Sequence, residues 1–311
     1  MSAALPKDAF NERKQRAAAL SVASNAALIT LKVIAGIATG SVAVLTEAAH
    51  SGTDMVASIT ALVSVRKAGE PADAEHLYGH EKIEDLAGAI EGVLILFGAA
   101  IIIYEAVIRL VHGGRVHTLG VGIAVIGVSA VVNVVVSRVI ARRARESGSV
   151  ALAADAAHLS ADAASSVAVL IGLTLVTTTG AHWIDPAVAL AVAAWIAFAG
   201  VRILLRSARE LVDEALPDDE LEGIRVTIHE LGAARGVVGF HKLRTRRAGA
   251  RRYLDVHLQF AAGTTLEEAH GVAHELTNAI RAQLPGADIL VHVEPQDRVD
   301  PATELVHGGP G

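Results

Sequence analysis

Long apolar segments separated by short polar links fill the first two thirds of the chain. A helix needs about 20 apolar residues to span a bilayer, and six segments approach or exceed that length. They lie near 17–38, 42–65, 84–111, 118–141, 150–178 and 183–205. The pattern therefore predicts an α-helical membrane protein with a six-helix transmembrane domain at 17–206, preceded by a polar cytoplasmic segment at 1–16.

The last third of the chain is mixed and charged, and it predicts a small soluble α/β domain at 207–297. Helical periodicity and strand-like alternation follow one another in the ferredoxin-like order αββαβ, with the second helix crossing between strands. The predicted elements are Pro217–Leu231, Val237–Arg246, Arg252–Phe260, Thr265–Leu284 and Asp288–Val293. We expect the tail at 298–311 to be disordered.

Positive charges alternate between the links. Lys and Arg residues concentrate before the first helix, between helices two and three, between helices four and five, and after helix six. The other three links contain few of them, namely Arg109 and Arg115. Because positively charged links stay on the cytoplasmic side, we expect both termini in the cytoplasm of a multi-pass protein of the bacterial inner membrane.

Composition narrows the function classes. Of 311 residues, 52% are hydrophobic and the mean hydropathy is +0.45, which is too apolar for an ordinary soluble protein. The net charge of −6 does not favour a nucleic-acid partner. The chain has no cysteine, so any metal site has to use His, Asp and Glu ligands.

One polar phrase occurs twice, in the second and fifth predicted helices. A charged side chain at mid-membrane depth costs about 2.5–3.5 kcal/mol on insertion scales, so such residues usually serve a function. Both copies read acid, Ala, Ala, His, three residues, Asp. They are Glu47-Ala-Ala-His50-Ser-Gly-Thr-Asp54 and Asp155-Ala-Ala-His158-Leu-Ser-Ala-Asp162.

The spacing within each phrase is that of a two-ligand helix edge, because residues i and i+4 share one face. Two facing edges make a cage of two imidazoles and two carboxylates, which suits Zn²⁺, and also Co²⁺ or Cd²⁺, better than Ca²⁺ or Mg²⁺. In antiparallel helices, His50 lies level with Asp162 and Asp54 level with His158. The alternative is a set of buried interhelical hydrogen bonds, and the repetition favours the metal.

Glu47 and Asp155 each precede a phrase histidine by three residues, so they lie on the same helix face. Three interpretations remain for them. They orient the imidazoles as outer carboxylates, they accept protons, or they are only helix-end charges.

These motifs are similar to those of a known family. His-x-x-x-Asp in the second and fifth of six membrane helices, followed by an αββαβ domain, resembles the cation diffusion facilitators, which are divalent-metal/proton antiporters. The likeness covers roughly residues 10–296. It implies that His50, Asp54, His158 and Asp162 form the transport site. A quartet with two histidines resembles the zinc-transporting branch, and the resemblance also implies a homodimer.

The link between helices two and three contains Asp73, His76 and His80, which converge on one metal ion if the loop curls back. The resemblance implies a second zinc site here, and the run Tyr78-Gly-His-x-Lys-x-Glu84 is a marker of the family. The alternative is an ordinary helix-start loop, in which acidic residues are expected because they favour a helix N-terminus.

The resemblance also implies a binuclear zinc site at the dimer contact of the cytoplasmic domain. Its matching residues are His241, His257, His270, His292 and Glu294. Glu294 stands where the family often has Asp, which keeps an oxygen ligand on a longer arm. His274, one turn after His270, is an additional candidate.

We expect a zinc efflux transporter that uses protons as counter-ion and alternating access. An intramembrane metalloenzyme needs an open coordination position and a general base. The His-Glu-x-x-His motif is absent, since His274-Glu275 is followed by Asn278. A metal sensor or storage protein would leave the two membrane phrases unexplained, and a channel would not depend on a proton gradient.

Overall fold

The computed structural model describes residues 7–40, 42–112, 120–181, 183–296 and 304–305, apart from some side chains at positions 7–10, 42–50, 120–121 and 304–305. The chain divides into two compact units, Met1–Ala208 and Arg209–Gly311. Six long helices begin in the first unit. They are α1 (Lys7–Thr39), α2 (Val42–Ala68), α3 (Lys82–His112), α4 (Gly120–Ser147), α5 (Val150–Thr179) and α6 (Ile184–Leu211).

The helices extend beyond their apolar segments. The largest difference is in α1, which begins at Lys7 inside the segment that we expected to be a polar extension at 1–16. Its first turns are rich in Lys, Arg, Glu and Gln, which are good helix formers. The helix therefore continues past the end of the apolar span.

Among the described residues, five helices are long and apolar enough to cross a membrane, namely α1 and α3 to α6. Helix α2 is of similar length but less apolar, because it contains the first polar phrase. Many large apolar side chains point outward, among them Phe97, Val131 and Phe198. An apolar exterior of this kind is typical of helices that face lipid, so the first unit is a multi-pass membrane domain with six helices.

Small residues form much of the interior of the membrane domain. One buried cluster contains residues from all five helices α1, α2, α3, α4 and α5, among them Ala18, Ala87, Ile140 and Leu152. A second joins α3, α5 and α6. Helix α4 packs against α5, and α1 packs against α2 and α4.

The second unit contains the predicted α/β domain. Its elements are α7 (Asp218–Ala234), β1 (Val237–Ala248), β2 (Arg251–Phe260), α8 (Leu266–Gln283), β3 (Asp288–Pro295) and β4 (Glu304–Leu305). The sheet order is β3-β2-β1-β4. β1 and β2 are antiparallel, whereas β2 and β3 are parallel and joined through α8. The predicted order αββαβ is confirmed.

Strand β4 lies inside the tail that we expected to be disordered, and it pairs with β1 at Gly239 and Phe240. The expectation is therefore wrong for these two residues. An edge strand offers unpaired backbone groups that can bind even a short extended segment. The rest of 298–311 lies outside the described residues.

Both helices contribute to the core of this domain. Ile228 of α7 and Ile280 of α8 pack with Phe240, Val256 and Leu258 of the strands. Since side chains alternate along a strand, the neighbouring residues His241 and His257 lie on the opposite face of the sheet.

Glu220 ties α7 to the two long strands. It accepts hydrogen bonds from Arg252 at 2.6 and 2.8 Å and from Arg247 at 3.2 Å. The hydrogen bonds from Arg252, helped by its charge, hold the pKa of Glu220 below its ordinary value. The helix start is thereby fastened to the sheet.

Candidate metal centres

Three predicted ligands meet between α2 and α5. The ligand atoms of Asp54, His158 and Asp162 all lie within 4.8 Å of one another. His158 Nε2 is 3.5 Å from Asp54 Oδ1 and 3.9 Å from Asp162 Oδ2. Among the described residues, neither ring nitrogen of His158 has a hydrogen-bond partner of normal geometry. A buried imidazole facing two carboxylates fits a divalent cation.

The fourth predicted ligand, His50, lies on α2 one turn before Asp54, and its side chain is outside the described part of the chain. The same holds for Glu47. We expected Asp54 to lie level with His158. Of the two carboxylates near His158 Nε2, Asp54 is the nearer one. The predicted pairing of His50 with Asp162 stays a prediction.

Helix α1 contributes polar groups that sequence reasoning left out of the site. Ser21 Oγ donates to Asp155 Oδ1 at 2.9 Å, and Ser58 Oγ of α2 lies 3.4 Å from the same oxygen. Asn25 Nδ2 donates to Ser58 Oγ at 2.6 Å and to the backbone oxygen of Asp54 at 3.3 Å. These bonds connect the two ligand-bearing helices. The available signal was a pair of polar residues, Ser21 and Asn25, spaced four apart in an apolar helix.

The three residues predicted in the link after α2 also come together. Asp73 lies 3.2 Å from His80 Nε2 and 3.4 Å from His76 Nδ1. His80 is buried, whereas Asp73 and His76 are exposed. The backbone N–H of His76 donates to Asp73 at 2.7 Å and, with that of Glu75, holds the Asp73 pKa below its ordinary value. The loop thus turns around an ionised carboxylate.

A row of histidines crosses the sheet of the second unit. His241, His257 and His292 are directly opposite one another on β1, β2 and β3. Their neighbouring ring centroids are 5.1 and 4.6 Å apart. A bulge follows His241, where Lys242 has a φ of 49°. The strand register therefore assembles imidazoles that are far apart in sequence.

Glu294 lies beside this row. Its carboxylate is 2.8 Å from His241 Nε2, 3.4 Å from His257 Nδ1 and 3.9 Å from His292 Nε2. Burial opposes the charged form of Glu294, but hydrogen bonds from Gln259 and His257 outweigh it, so the pKa lies below its ordinary value. Burial likewise lowers the pKa of His257, which favours the neutral imidazole that a metal ion needs.

His270 does not join this group among the described residues. It lies on α8, in the helical layer of the domain, and its ring stacks on that of His274 at a centroid distance of 6.3 Å. The three strand histidines, His241, His257 and His292, are instead brought together by backbone pairing. Whether His270 binds metal in another arrangement stays a prediction.

Comparisons with known proteins give a consistent result. Residues 18–212 match the model of the cation efflux transmembrane domain, and residues 216–296 match that of the cation efflux protein cytoplasmic domain. The cation-efflux pump FieF of Klebsiella pneumoniae is 32% identical over 93% of this chain and 95% of its own length. FieF of Salmonella paratyphi A is 33% identical over 90% and 92%.

An uncharacterised transporter of Synechocystis is 32% identical over 89% of both chains. A solved structure of CzrB, described as a proposed zinc transporter in its zinc form, is 40% identical, with a TM-score of 0.27. It covers 28% of this chain and 98% of its own. Since the two family models together span most of the sequence, the chain belongs to the cation diffusion facilitator family of cation efflux transporters.

Proposed function

We propose that this protein exports Zn²⁺ from the cytoplasm in exchange for protons, by alternating access. The observation that carries the proposal is the group of Asp54, His158 and Asp162, whose ligand atoms lie within 4.8 Å of one another. Two carboxylates balance the charge of a divalent ion, and imidazole favours Zn²⁺ over the hard cations Mg²⁺ and Ca²⁺. His50 completes the tetrahedral set, and Cd²⁺ and Co²⁺ are secondary substrates.

Proton exchange follows from the chemistry of these ligands. A metal ion requires neutral imidazole and ionised carboxylate, so loading the site displaces protons. When the site opens to the acidic side, protonation of His158 and its carboxylate partners expels the metal. Competition between Zn²⁺ and protons for the same groups is sufficient to couple the two flows.

The loop group and the cytoplasmic group hold additional Zn²⁺ in this proposal. Asp73, His76 and His80 form one set, and His241, His257, His292 and Glu294 form the other, with His270 supplied in the metal-bound homodimer. The short carboxylate–imidazole distances in both groups support it. Zinc there stabilises the domain and its dimer.

A metal sensor or storage protein is the alternative from a different class. It would use the loop and cytoplasmic groups and would bind zinc without moving it. The efflux relatives, which resemble almost the whole chain, favour transport.

Proteoliposomes with an imposed pH gradient test the transport proposal. We expect zinc flux that requires the gradient and that is lost in Asp54→Ala and Asp162→Ala. Glu105→Ala is the matched control, because Glu105 is an exposed acid of the same domain paired with Arg109. Flux that persists in both site variants would disprove the site, and zinc binding without flux would favour a sensor.

A further inference from the structure

Helices α3 and α5 start side by side. The hydroxyl of Ser149, which caps α5, donates to the Glu84 carboxylate near the start of α3, and Lys14 of α1 pairs with the same carboxylate. A Cβ on Gly88 would lie 2.8 Å from Val150 Cγ1. The two helices therefore run in the same direction from this end. One to two turns further along them are Glu91 and Asp155, between this end and the ligand His158.

Glu91 is a buried acid of α3. It is fully buried, and among the described residues neither of its carboxylate oxygens has a hydrogen-bond partner. Asp155, which is buried as well, lies on α5, and α5 packs against α3. On α6, Leu204 lies against Gly92 and Ser207 lies against Gly88. Neither of these two α6 side chains carries a charge.

Asp155 is buried as deeply as Glu91, but it has hydrogen-bond partners. One of its oxygens accepts from Ser21 of α1 and lies within hydrogen-bond distance of Ser58 of α2. Hydrogen-bond donors stabilise the ionised form of a carboxylate, whereas burial without donors disfavours it. Two buried carboxylates in each other's field do not both ionise readily. The neutral member of the pair is then the one without donors, Glu91.

We propose that Glu91 carries a proton in the metal-free protein and releases it when a divalent ion binds between Asp54, His158 and Asp162. This inference rests on the proposed function, and it adds a proton carrier that is not itself a metal ligand. The bound ion brings two positive charges close to the pair and stabilises ionised Glu91. The O–H bond of its carboxyl group breaks, and the proton passes to water. When the ion leaves, Glu91 takes up a proton again.

Calorimetry on the full-length protein in detergent tests this. Zinc is titrated to saturation in two buffers of different ionisation enthalpy, which counts the protons released and the zinc ions bound per protein molecule. We expect Glu91→Gln to bind zinc but to release about one proton fewer than the wild type. Glu105→Gln, an exposed acid on the same helix, should release the wild-type number.

Infrared difference spectroscopy supplies a readout that does not depend on transport. The wild type should lose the C=O band of a protonated carboxyl group when zinc is added, and Glu91→Gln should lack that change. Should the variant fail to fold, the wild-type spectrum still decides, because absence of the band overturns the proposal.

Equal proton release by Glu91→Gln and the wild type would also overturn it. A variant that binds one zinc ion fewer would make Glu91 a metal ligand instead, which contradicts the proposal. A wild type that binds no zinc would overturn the proposed function, so the two failures are distinguishable.

Discussion

At the scale of single residues, Glu294 is the carboxylate that organises the cytoplasmic histidines. It contacts His241 at 2.8 Å and His257 at 3.4 Å. Its pKa lies below the ordinary value of 4.5. A carboxylate whose pKa is lowered in the folded protein adds to the stability of the fold at pH values above its ordinary pKa. This stability is lost as the pH falls through the lowered pKa. At neutral pH Glu294 is therefore an ionised carboxylate, as the proposed zinc site requires.

Replacing this carboxylate by an amide should weaken zinc binding in the cytoplasmic unit. We expect Glu294→Gln to lower the affinity of that group by at least about tenfold, because the negative charge beside the imidazoles is lost. Competition with a chelator, followed by zinc counting, measures it. Glu267→Gln, an exposed acid on α8, is the control. Unchanged affinity in Glu294→Gln would remove Glu294 from the ligand set.

At the scale of elements, two glycines let α3 pack closely against its neighbours. A Cβ on Gly92 would lie 3.0 Å from the Leu204 backbone nitrogen of α6, and one on Gly88 would lie 2.6 Å from Ser207 Oγ. Within the part of the chain that the structure describes, no other helix comes within 4 Å of a Cβ on Gly98 of α3. The close packing of α3 against α6 thus depends on two particular positions.

Alanine substitutions at Gly92 and Gly98 should have different effects on the stability of the membrane domain. Gly92→Ala should destabilise the membrane domain by about 1–3 kcal/mol, since overpacking forces α3 away from backbone that cannot yield easily. Gly98→Ala should be neutral or stabilising by up to about 1 kcal/mol, because Ala is the better helix former. Thermal unfolding in detergent compares them. If Gly92→Ala were as stable as the wild type, α3 would tolerate a Cβ on the face that meets α6, contrary to this prediction.

At the scale of the whole molecule, the distribution of Lys and Arg predicts which side of the membrane each part occupies. The N-terminal segment and the region after α6 are basic, whereas the link between α5 and α6 contains no Lys or Arg. The positive-inside rule then predicts that the second unit lies in the cytoplasm. The chain has no cysteine, so single introduced cysteines report their location directly.

Labelling of intact cells with a membrane-impermeant maleimide should therefore distinguish the two sides. We expect Thr179→Cys, at the exposed end of α5, to react from outside. Glu267→Cys, exposed on α8, should react only after the membrane is permeabilised. The cysteine-free wild type controls for background. The reverse pattern would show the opposite orientation in the membrane and contradict the prediction.

Local spacing was sufficient for much of this protein. The apolar segments determined the membrane helices, because spanning length is a property of consecutive residues. The order αββαβ followed from periodicity in the same way. The i, i+4 pair His158 and Asp162, and the loop set of Asp73, His76 and His80, are close in sequence. Their convergence therefore depends mainly on local geometry.

Only the tertiary structure decided which distant groups meet. Ser21 reaches Asp155 because of how α1 is rotated against α5, and no local pattern encodes that rotation. His241, His257 and His292 align because β3 pairs in parallel with β2 in one register, while His270 stays with His274 on α8. The isolation of Glu91 is likewise a result of packing. Periodicity determines which face of an element is buried, whereas partners across elements depend on register, rotation and close approach.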